Sequence, residues 1–386
     1  MKALCIYVDA GKGHYIPAKA IAEEFEDMGV ETRFVESFDY LDIKWLGKLN
    51  HKYWRAMLKR PKLERKLTKF ADAGSDLMSV YVNFCIKHCW RMMKAQLEEF
   101  KPDIVMATHP YGSTALAEMF KVHGIKIPVY YYATDVFTVP VASICHNQRR
   151  LLVSTEEGAA KAVGFGLDRS EVAIVPFPLQ RSLSQGVRLS KREAREKLGL
   201  PVDLFTMQLN LGGEGLGSLS LLESLLKQHR PMQIIILGGI NKEMRAKIDA
   251  ITKAEHNRSV LVHTPGFVTN VNEYLLASDI IAGRAGINTI LEAMYDHRPF
   301  LVTDVVYTVI PSADYIVKYK VGWNAAEDKK LQAEIVEDLI DHPEKLDEMD
   351  KAFEDIPIDF SARAVAEYLV DDARAYFEEI GEPIQD

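Results

Sequence analysis

Short apolar runs alternate with helical patterns along most of the chain. The runs are rich in Val and Ile, which favours strands buried on both faces. Between them, segments such as 113–121 and 156–163 place apolar residues at helical spacing, as crossover helices do. This alternation predicts an α/β protein built from two doubly wound parallel sheets. The predicted strands cover residues 3–9, 32–36, 104–108, 129–134, 151–154 and 172–177, and then 204–211, 233–237, 260–263, 280–282 and 300–303.

The alternation stops between residues 180 and 200, where the sequence becomes highly charged. Ser190 is placed to cap a short helix there, and Gly199 to end it. At 386 residues, the chain is also longer than a single hydrophobic core usually supports. We therefore predict an N-terminal domain at 1–180, a linker at 181–202 and a C-terminal domain at 203–360.

Composition and charge narrow the functional classes. Hydrophobic residues make up 48% of the chain, which excludes a mainly disordered protein, and the net charge of −8 argues against nonspecific binding to nucleic acid. The four cysteines (Cys5, Cys85, Cys89 and Cys145) are scattered, which favours free thiols in a reducing compartment. The sequence begins without a signal-peptide pattern and contains no run of about 20 apolar residues. We expect a cytoplasmic location.

One segment departs from the acidic balance. Between Lys44 and Phe70, ten lysines and arginines stand against the single acid Glu64. Apolar residues are interleaved at roughly helical spacing, as in a pair of basic amphipathic helices broken at Pro61. Either these apolar residues are ordinary domain core, or this basic insertion, at 44–100, contacts an anionic lipid surface. The residues expected at such a surface are Trp45, Trp54, Lys59, Arg60, Lys62, Arg65 and Lys66.

Two glycine turns carry the most specific chemistry. Gly11-Lys12-Gly13-His14 follows the first predicted strand, and Gly212-Gly213-Glu214-Gly215 follows the strand at 204–211. Each turn opens a helical pattern, so bare backbone N–H groups and a positive helix end lie where an anion can bind. The same positive end disfavours protonation of His14 and leaves a neutral base. The alternative is that His14 only caps its helix.

These turns belong to a longer series of motifs. The segment from Asp9 to Ala20 resembles the Gly-Gly-Gly-His-x-x-Ala-Ala-x-Ala start of the monogalactosyldiacylglycerol synthase and diacylglycerol glucosyltransferase group in glycosyltransferase family 28. The remaining motifs follow in the order of that family up to about residue 323. They are Thr108-His109-Pro110, Ala133-Thr134-Asp135, Gly212 to Gly217, Pro265-Gly266-Phe267, and the stretch from Ser278 to Met294.

The resemblance implies a GT-B fold, in which two domains face a central cleft. It implies an inverting transfer of a hexose from a UDP-sugar to a membrane lipid hydroxyl such as that of diacylglycerol, without a catalytic metal or other cofactor. The location it suggests is peripheral, on the inner face of the cell membrane. In GT-B enzymes the last helix crosses back, which places residues 361–386 on the N-terminal domain.

The family pattern also suggests a donor site. A metal-free transferase stabilises the departing diphosphate with backbone amides, helix ends and an arginine, which the turn at 212–215 and the segment Arg284-Ala285-Gly286 would supply. An acid at the position of Glu292 grips the ribose hydroxyls in the family, and Asn288 shares its helix face. Phe267 would border the uracil. Thr289 and Asp314 complete the expected donor-binding residues.

The acceptor site is expected at the ends of the N-terminal strands, where ligands of open α/β sheets bind. Inversion needs a base that removes the hydroxyl proton of the acceptor. We assign that role to His14, with Asp135 as the second candidate. Gly11, Gly13, His109 and Pro110 would line the acceptor pocket, and a plain loop histidine is the alternative for His109.

The sequence departs from the family at two places. Related enzymes carry a His and a Trp shortly after the acid at Asp135, whereas this chain reads Val136 to Val141. They also present a Gln-Glu or Gln-Gln pair that holds the hydroxyls of the donor sugar after the strand ending at Asp304, whereas here the loop at 305–312 has no such pair. The transferred sugar is therefore not specified. Two other functions stay open: a GT-B transferase or epimerase with a soluble acceptor, and a noncatalytic protein that binds sugar nucleotides.

Overall fold

The computed structural model describes residues 1–9, 11–58, 60, 63–64, 66, 76–212, 219–255, 259–305, 309–326 and 328–384. The chain divides into two compact units. Unit 1 comprises Met1–Ser184 together with Pro357–Asp386, and unit 2 comprises Gln185–Ile356. In the described residues, each unit contains one parallel sheet of six strands with helices between them. The predicted fold class, two doubly wound parallel-sheet domains, is confirmed.

The sheet of unit 1 has the strand order β2-β1-β3-β4-β5-β6. In its register, Ile6 pairs with both Val35 and Ala107, so β1 lies between β2 and β3. The strands are β1 (Lys2–Tyr7), β2 (Glu31–Glu36), β3 (Ile104–Ala107), β4 (Val129–Tyr132), β5 (Arg150–Val153) and β6 (Val172–Ile174). The helices are α1 (Lys12–Asp27), α2 (Ser37–Tyr40), α3 (Lys44–Leu58), α4 (Asp76–His88), α5 (Trp90–Phe100), α6 (Pro110–His123), α7 (Glu156–Gly164) and α8 (Arg181–Ser184), with two short 3₁₀ turns at Val141–Ser143 and Arg169–Glu171.

The sheet of unit 2 has the order β12-β11-β10-β7-β8-β9. Its strands are β7 (Thr206–Asn210), β8 (Met232–Leu237), β9 (Val260–His263), β10 (Ile280–Arg284), β11 (Phe300–Asp304) and β12 (Gly322–Asn324). Its helices are α9 (Lys191–Leu198), α10 (Ser220–Gln228), α11 (Lys242–Glu255), α12 (Val271–Ala277), α13 (Ile287–Tyr295), α14 (Ile310–Lys318), α15 (Lys329–Asp341) and α16 (Glu344–Phe353). The sequence pattern did not predict β12, because three residues are too few to show a period.

Both cores consist of strands covered on two faces. Every residue of β3, β4 and β8 is buried, as the continuous apolar runs predict. In unit 1, Leu4 and Ile6 pack with Val105 and residues of α6. In unit 2, Leu209 and Ile234 pack with residues of α10 and α15. These cores fix the carboxyl ends of the strands, where the predicted site residues begin.

Two helices flank the boundary between the units. Ser190 accepts a hydrogen bond from the backbone of Glu193, and Gly199 adopts a φ of 66°, so the predicted cap and stop of α9 are confirmed. This helix lies within the predicted linker and belongs to unit 2, where Arg195 and Asp279 form a buried ion pair at 2.7 Å. The last helix, α17 (Ala362–Ile380), belongs to unit 1 and packs against α1.

Candidate active site

The candidate acceptor residues lie at a change of direction in the sheet of unit 1. From β1 the chain moves to β2 on one side and then returns to β3 on the other. In open α/β sheets, ligands bind outside the carboxyl ends of the strands at such a switch point. His14 follows β1, and both Thr108 and His109 follow β3. The topology therefore brings the two predicted histidines to one place.

Hydrogen bonds fix the orientation of His14. Its Nδ1 lies 2.7 Å from the carbonyl oxygen of Thr108 and 2.9 Å from the hydroxyl of Thr134. The hydroxyl of Thr108 also donates to the carbonyl oxygen of His14 at 2.9 Å. Because a carbonyl oxygen only accepts, Nδ1 carries the proton and Nε2 of the neutral ring keeps its lone pair. The side chain thus bonds to residues at neighbouring strand ends and does not cap α1. The N-cap residue of that helix is Gly11, and no side chain caps it.

The ring of His14 is neutral near pH 7. Burial lowers its pKa to about 4, although the hydrogen bond to the Thr108 carbonyl acts in the opposite direction. A neutral imidazole with a fixed proton on one nitrogen presents a basic nitrogen on the other. This arrangement is what a general base requires.

His109 stands beside His14 at the start of α6. The two ring centroids lie 4.7 Å apart in an edge-to-face arrangement. His109 is the N-cap residue of α6, and its Nδ1 accepts a hydrogen bond from the backbone N–H of Tyr111 at 3.1 Å. Burial, with a smaller contribution from His14, lowers the pKa of His109 well below its usual value. His109 therefore has a defined position that a plain loop histidine lacks.

Three other predicted acceptor residues are sequence neighbours of these histidines, and Asp135 follows β4. Gly11 has a φ of 94°, which an L side chain rarely adopts, and Gly13 lies in the first turn of α1. Pro110 is the first residue of α6, where the missing N–H costs no hydrogen bond. Asp135 follows β4, and burial raises its pKa to about 6. His14 and Asp135 thus differ in pKa by enough to be told apart in a pH profile.

The carboxyl edge of the sheet in unit 2 is bare backbone. Gly238 has a φ of 128°, and a Cβ on it would lie 2.7 Å from the carbonyl oxygen of Gly212. A Cβ on Gly283 would lie 2.6 Å from the carbonyl oxygen of Asn210. These glycines end the neighbouring strands β8, β7 and β10, and the sheet changes direction between β7 and β10. Glycine at these positions lets the strand ends approach each other closely at the switch point, where ligands of open α/β sheets bind.

Arg284 and the start of α13 lie at the same edge. The Nε of Arg284 donates to Asp304 at 2.8 Å, so the guanidinium is fixed between the ends of β10 and β11. Ala285 is buried, and Gly286 is the N-cap residue of α13. Asn288 and Thr289 lie in the first turn of the helix, and half-buried Glu292 follows Asn288 by one turn.

Two other predicted donor residues are exposed, and three lie outside the described residues. The side chain of Phe267 is 95% exposed, so it is not an ordinary core aromatic. Asp314 is an exposed residue of α14. The predicted donor-binding residues that lie outside the described ranges are Gly213, Glu214 and Gly215.

Helix α3 divides its apolar residues between two faces. Leu46 packs against the core of unit 1, Met57 is buried, and a Cβ on Gly47 would lie 3.1 Å from Cβ of Phe38. Trp45, Leu49 and Tyr53 are spaced by four residues and are 60%, 56% and 41% exposed. One face of α3 is therefore domain core and the other is exposed, and contact of the exposed face with lipid stays a prediction. Of the other residues predicted for a lipid surface, Trp54 is half-buried, Arg60 and Lys66 are exposed, and Lys59, Lys62 and Arg65 lie outside the described residues.

Sequence reasoning missed the partners that hold His14. Thr108 and Thr134 were recognised only as parts of motifs, and their contacts join residues 94 and 120 positions apart. The usable signal was that each threonine is the last residue of a predicted apolar strand, at 104–108 and at 129–134. Glu36 has a structural use as well, since its carboxylate accepts hydrogen bonds from the backbones of Asp9 and Asp39.

The described ranges contain neither a metal-binding cluster nor a helix that could span a membrane. No group of three or more His, Cys, Asp or Glu side chains there is arranged to hold a metal ion. None of the helices within those ranges is long and apolar enough to span a bilayer.

Comparisons with known proteins match both units. Residues 14–179 match the family model of monogalactosyldiacylglycerol synthase, and residues 219–365 match that of the glycosyltransferase family 28 C-terminal domain. Monogalactosyldiacylglycerol synthase 3, chloroplastic, from Arabidopsis thaliana is 27% identical over 78% of this chain and 66% of its own length. The chloroplastic monogalactosyldiacylglycerol synthase of Spinacia oleracea is 26% identical over 79% of this chain and 59% of its own. The chain thus spans less than two thirds of the length of these relatives.

Solved structures agree on the fold. MurG from Acinetobacter baumannii aligns with a TM-score of 0.64 at 14% identity, covering 96% of this chain and 99% of that one. UDP-GlcNAc 2-epimerase from Neisseria meningitidis, bound to UDP-GlcNAc, aligns with a TM-score of 0.61 at 14% identity, covering 97% and 100%. Together with the two family models, these alignments identify the architecture as GT-B. The chain therefore combines an N-terminal half of the monogalactosyldiacylglycerol synthase type with a glycosyltransferase family 28 C-terminal domain.

Proposed function

We propose that this protein is an inverting glycosyltransferase that moves a hexose from a UDP-sugar to a membrane lipid acceptor such as diacylglycerol. The observation that carries the proposal is His14, a neutral imidazole whose Nδ1 is tied to the Thr108 carbonyl at 2.7 Å. It lies at the switch point of the unit that matches the monogalactosyldiacylglycerol synthase model. The relatives that share this half of the chain carry that enzyme's name.

The reaction needs one proton transfer and one substitution. The acceptor hydroxyl oxygen attacks the anomeric carbon from the face opposite UDP, the bond between that carbon and the diphosphate oxygen breaks, and UDP leaves with the bonding electrons. The hydroxyl proton passes to Nε2 of His14. The carbonyl of Thr108 and the hydroxyl of Thr134 then face the imidazolium, and both oxygens can accept its Nδ1–H.

Unit 2 would bind the donor. The N-terminus of α13 offers backbone N–H groups to a diphosphate, and the predicted glycine turn that starts at Gly212 follows β7, the strand next to β10. Arg284 adds a positive charge whose position Asp304 fixes. We assign the ribose hydroxyls to Glu292. The reaction would then need no metal, and undiminished turnover after treatment with EDTA is the expected result.

A substrate panel tests the proposed activity. The protein is incubated with UDP-galactose, UDP-glucose or UDP-N-acetylglucosamine, with and without diacylglycerol vesicles, while UDP release is followed. We expect release with one or more donors only when diacylglycerol is present, and a loss of that release in His14→Ala. Release with soluble sugar acceptors, or epimerisation without an acceptor, would support the soluble alternative. UDP binding without turnover of any donor would support the noncatalytic alternative.

The finer part of the proposal is attachment to an anionic membrane surface, on the inner face of the cell membrane. Helix α3 contains no acidic residue, and its exposed face combines Trp45, Leu49 and Tyr53 with a parallel row of exposed lysines. An apolar stripe beside lysines is typical of helices that lie in a membrane interface. Each lysine near an anionic surface contributes about 1 kcal/mol before screening by salt. The row consists of Lys44, Lys48 and Lys52.

Vesicle cosedimentation tests this surface. We expect binding to phosphatidylglycerol vesicles, weak binding to phosphatidylcholine vesicles, and release by high salt. The triple variant Lys44, Lys48 and Lys52→Gln should bind less, whereas a control of equal net charge in unit 2 should bind as the wild type does. That control is Lys247, Lys253 and Lys330→Gln, since all three lysines are exposed. Equal binding to both kinds of vesicle, or equal loss in both triple variants, would contradict docking through α3.

A further inference from the structure

The hydrogen bonds of His14 and His109 determine which ring nitrogen carries the proton in each residue. Each ring has one nitrogen bonded to the main chain, and the type of that bond decides where the proton sits. Nδ1 of His14 faces a carbonyl oxygen, whereas Nδ1 of His109 faces a backbone N–H. The two rings are therefore held in opposite tautomers.

For His109 the assignment follows from the start of α6. Pro110 is the first residue of the helix and has no N–H, so the first available donor is the N–H of Tyr111. It donates to Nδ1 of His109 at 3.1 Å. Since an N–H group can only donate, this nitrogen holds a lone pair, and the proton of the neutral ring is on Nε2. Burial keeps the ring neutral by lowering its pKa, so His109 offers one N–H donor.

The ring separation suits a shared oxygen. The centroids lie 4.7 Å apart, and no hydrogen bond joins the two rings to each other. A single oxygen beside two rings this close can therefore form a hydrogen bond with a nitrogen of each. A hydroxyl is also the one common group that donates one hydrogen bond and accepts others. It matches an acceptor nitrogen on His14 and a donor N–H on His109.

We infer that His109 donates its Nε2–H to the oxygen of the acceptor hydroxyl while the same hydroxyl donates its proton to Nε2 of His14. This inference rests on the proposed function and deepens it. One lone pair of the hydroxyl is held by His109, which leaves the other for attack on the anomeric carbon. The two histidines thus select a hydroxyl and orient it before the proton leaves, which is how binding geometry contributes to rate.

Two variants separate this role from helix capping. In His109→Asn, the shorter side chain keeps an oxygen that caps α6, since Asn is among the preferred N-cap residues, but it cannot reach the position of Nε2. In His109→Gln, the amide nitrogen reaches approximately that position and restores a donor. We expect kcat/KM for diacylglycerol to fall about 10- to 100-fold in His109→Asn, the loss expected for one hydrogen bond that also orients the reacting oxygen. His109→Gln should recover part of it although it loses the cap of α6, with the KM for the UDP-sugar unchanged in both variants and the melting temperature unchanged in His109→Asn.

A second measurement does not depend on turnover. In protein labelled with ¹⁵N-histidine, the nitrogen shifts distinguish protonated from unprotonated ring nitrogens, and the missing signal in each variant assigns the residue. We expect a protonated Nε2 on His109 and a protonated Nδ1 on His14. A protonated Nδ1 on His109, an unchanged kcat/KM in a folded His109→Asn, or no recovery in a folded His109→Gln would overturn the inference. If the wild type turns over no donor with diacylglycerol, the proposed function fails, and the ¹⁵N spectrum still decides the tautomers.

Discussion

The identity of the base can be read from the acid side of the pH profile. Burial lowers the pKa of His14 to about 4 and raises that of Asp135 to about 6. Each base works only when it is unprotonated, and kcat/KM reports the pKa of the free enzyme. At pH 5, about 90% of His14 would be unprotonated but only about 10% of Asp135, since one pH unit changes the ratio of the two forms tenfold. We therefore expect kcat/KM to stay nearly constant from pH 7 to pH 5 and to fall below it.

The assay measures initial rates of UDP release from pH 4 to pH 9 at low acceptor concentration. A return to pH 7 after each incubation, with recovery of full activity, excludes acid unfolding. His14→Ala should lower turnover by about 10²–10⁴-fold, the usual contribution of a positioned base, with little change in affinity for UDP. Asp135→Asn should keep the profile of the wild type. An acid limb near pH 6, with turnover abolished in Asp135→Asn but not in His14→Ala, would refute the reasoning and assign the base to Asp135.

Two further predictions concern unit 2. Glu292→Ala should weaken UDP binding by about 1.5–3 kcal/mol, the loss expected for charge-assisted hydrogen bonds, whereas the exposed control Glu334→Ala should not change it. Isothermal titration with UDP measures the dissociation constant of both variants, and equal constants would reject the assignment of Glu292. Burial raises the pKa of Asp296 from 3.8 to about 6, so the folded state binds more protons than the unfolded state between these values and stability falls as the pH rises through them. Asp296→Asn should therefore be more stable than the wild type at pH 8, by up to about 3 kcal/mol, and this difference in stability should shrink at pH 4. Urea unfolding at both pH values measures the difference, and a difference independent of pH would contradict the prediction.

Most of the fold could be predicted from the sequence because strand and helix periods are local properties. Apolar runs such as that at 233–237 are buried strands, and the Ser190 cap and Gly199 stop of α9 are set by the residues themselves. The strand order could not be predicted, since it depends on which edges pair. The edge strand β12 and the ends of β3 and β4 also depend on pairing rather than on pattern.

The amphipathic segment shows the same limit on a single helix. Its composition left two alternatives open, domain core or a lipid-binding surface, because a period analysis counts Leu46 and Trp45 alike as apolar. Contact with Phe38 and the core decides which residues turn inward, and it leaves Trp45, Leu49 and Tyr53 exposed. Sequence alone could not divide the stripe.

By itself, the sequence determined that this chain is a two-domain α/β protein with a histidine after its first strand and glycine turns in both halves. Those features are encoded in neighbouring residues, so they can be read without the fold. Only the tertiary structure decided that His14 meets Thr108, Thr134 and His109. The two threonines are 94 and 120 positions away from His14 in the sequence. The proton position on His14 depends on the Thr108 carbonyl, which the packing of β1 against β3 brings to the ring, whereas that on His109 follows from the start of its own helix.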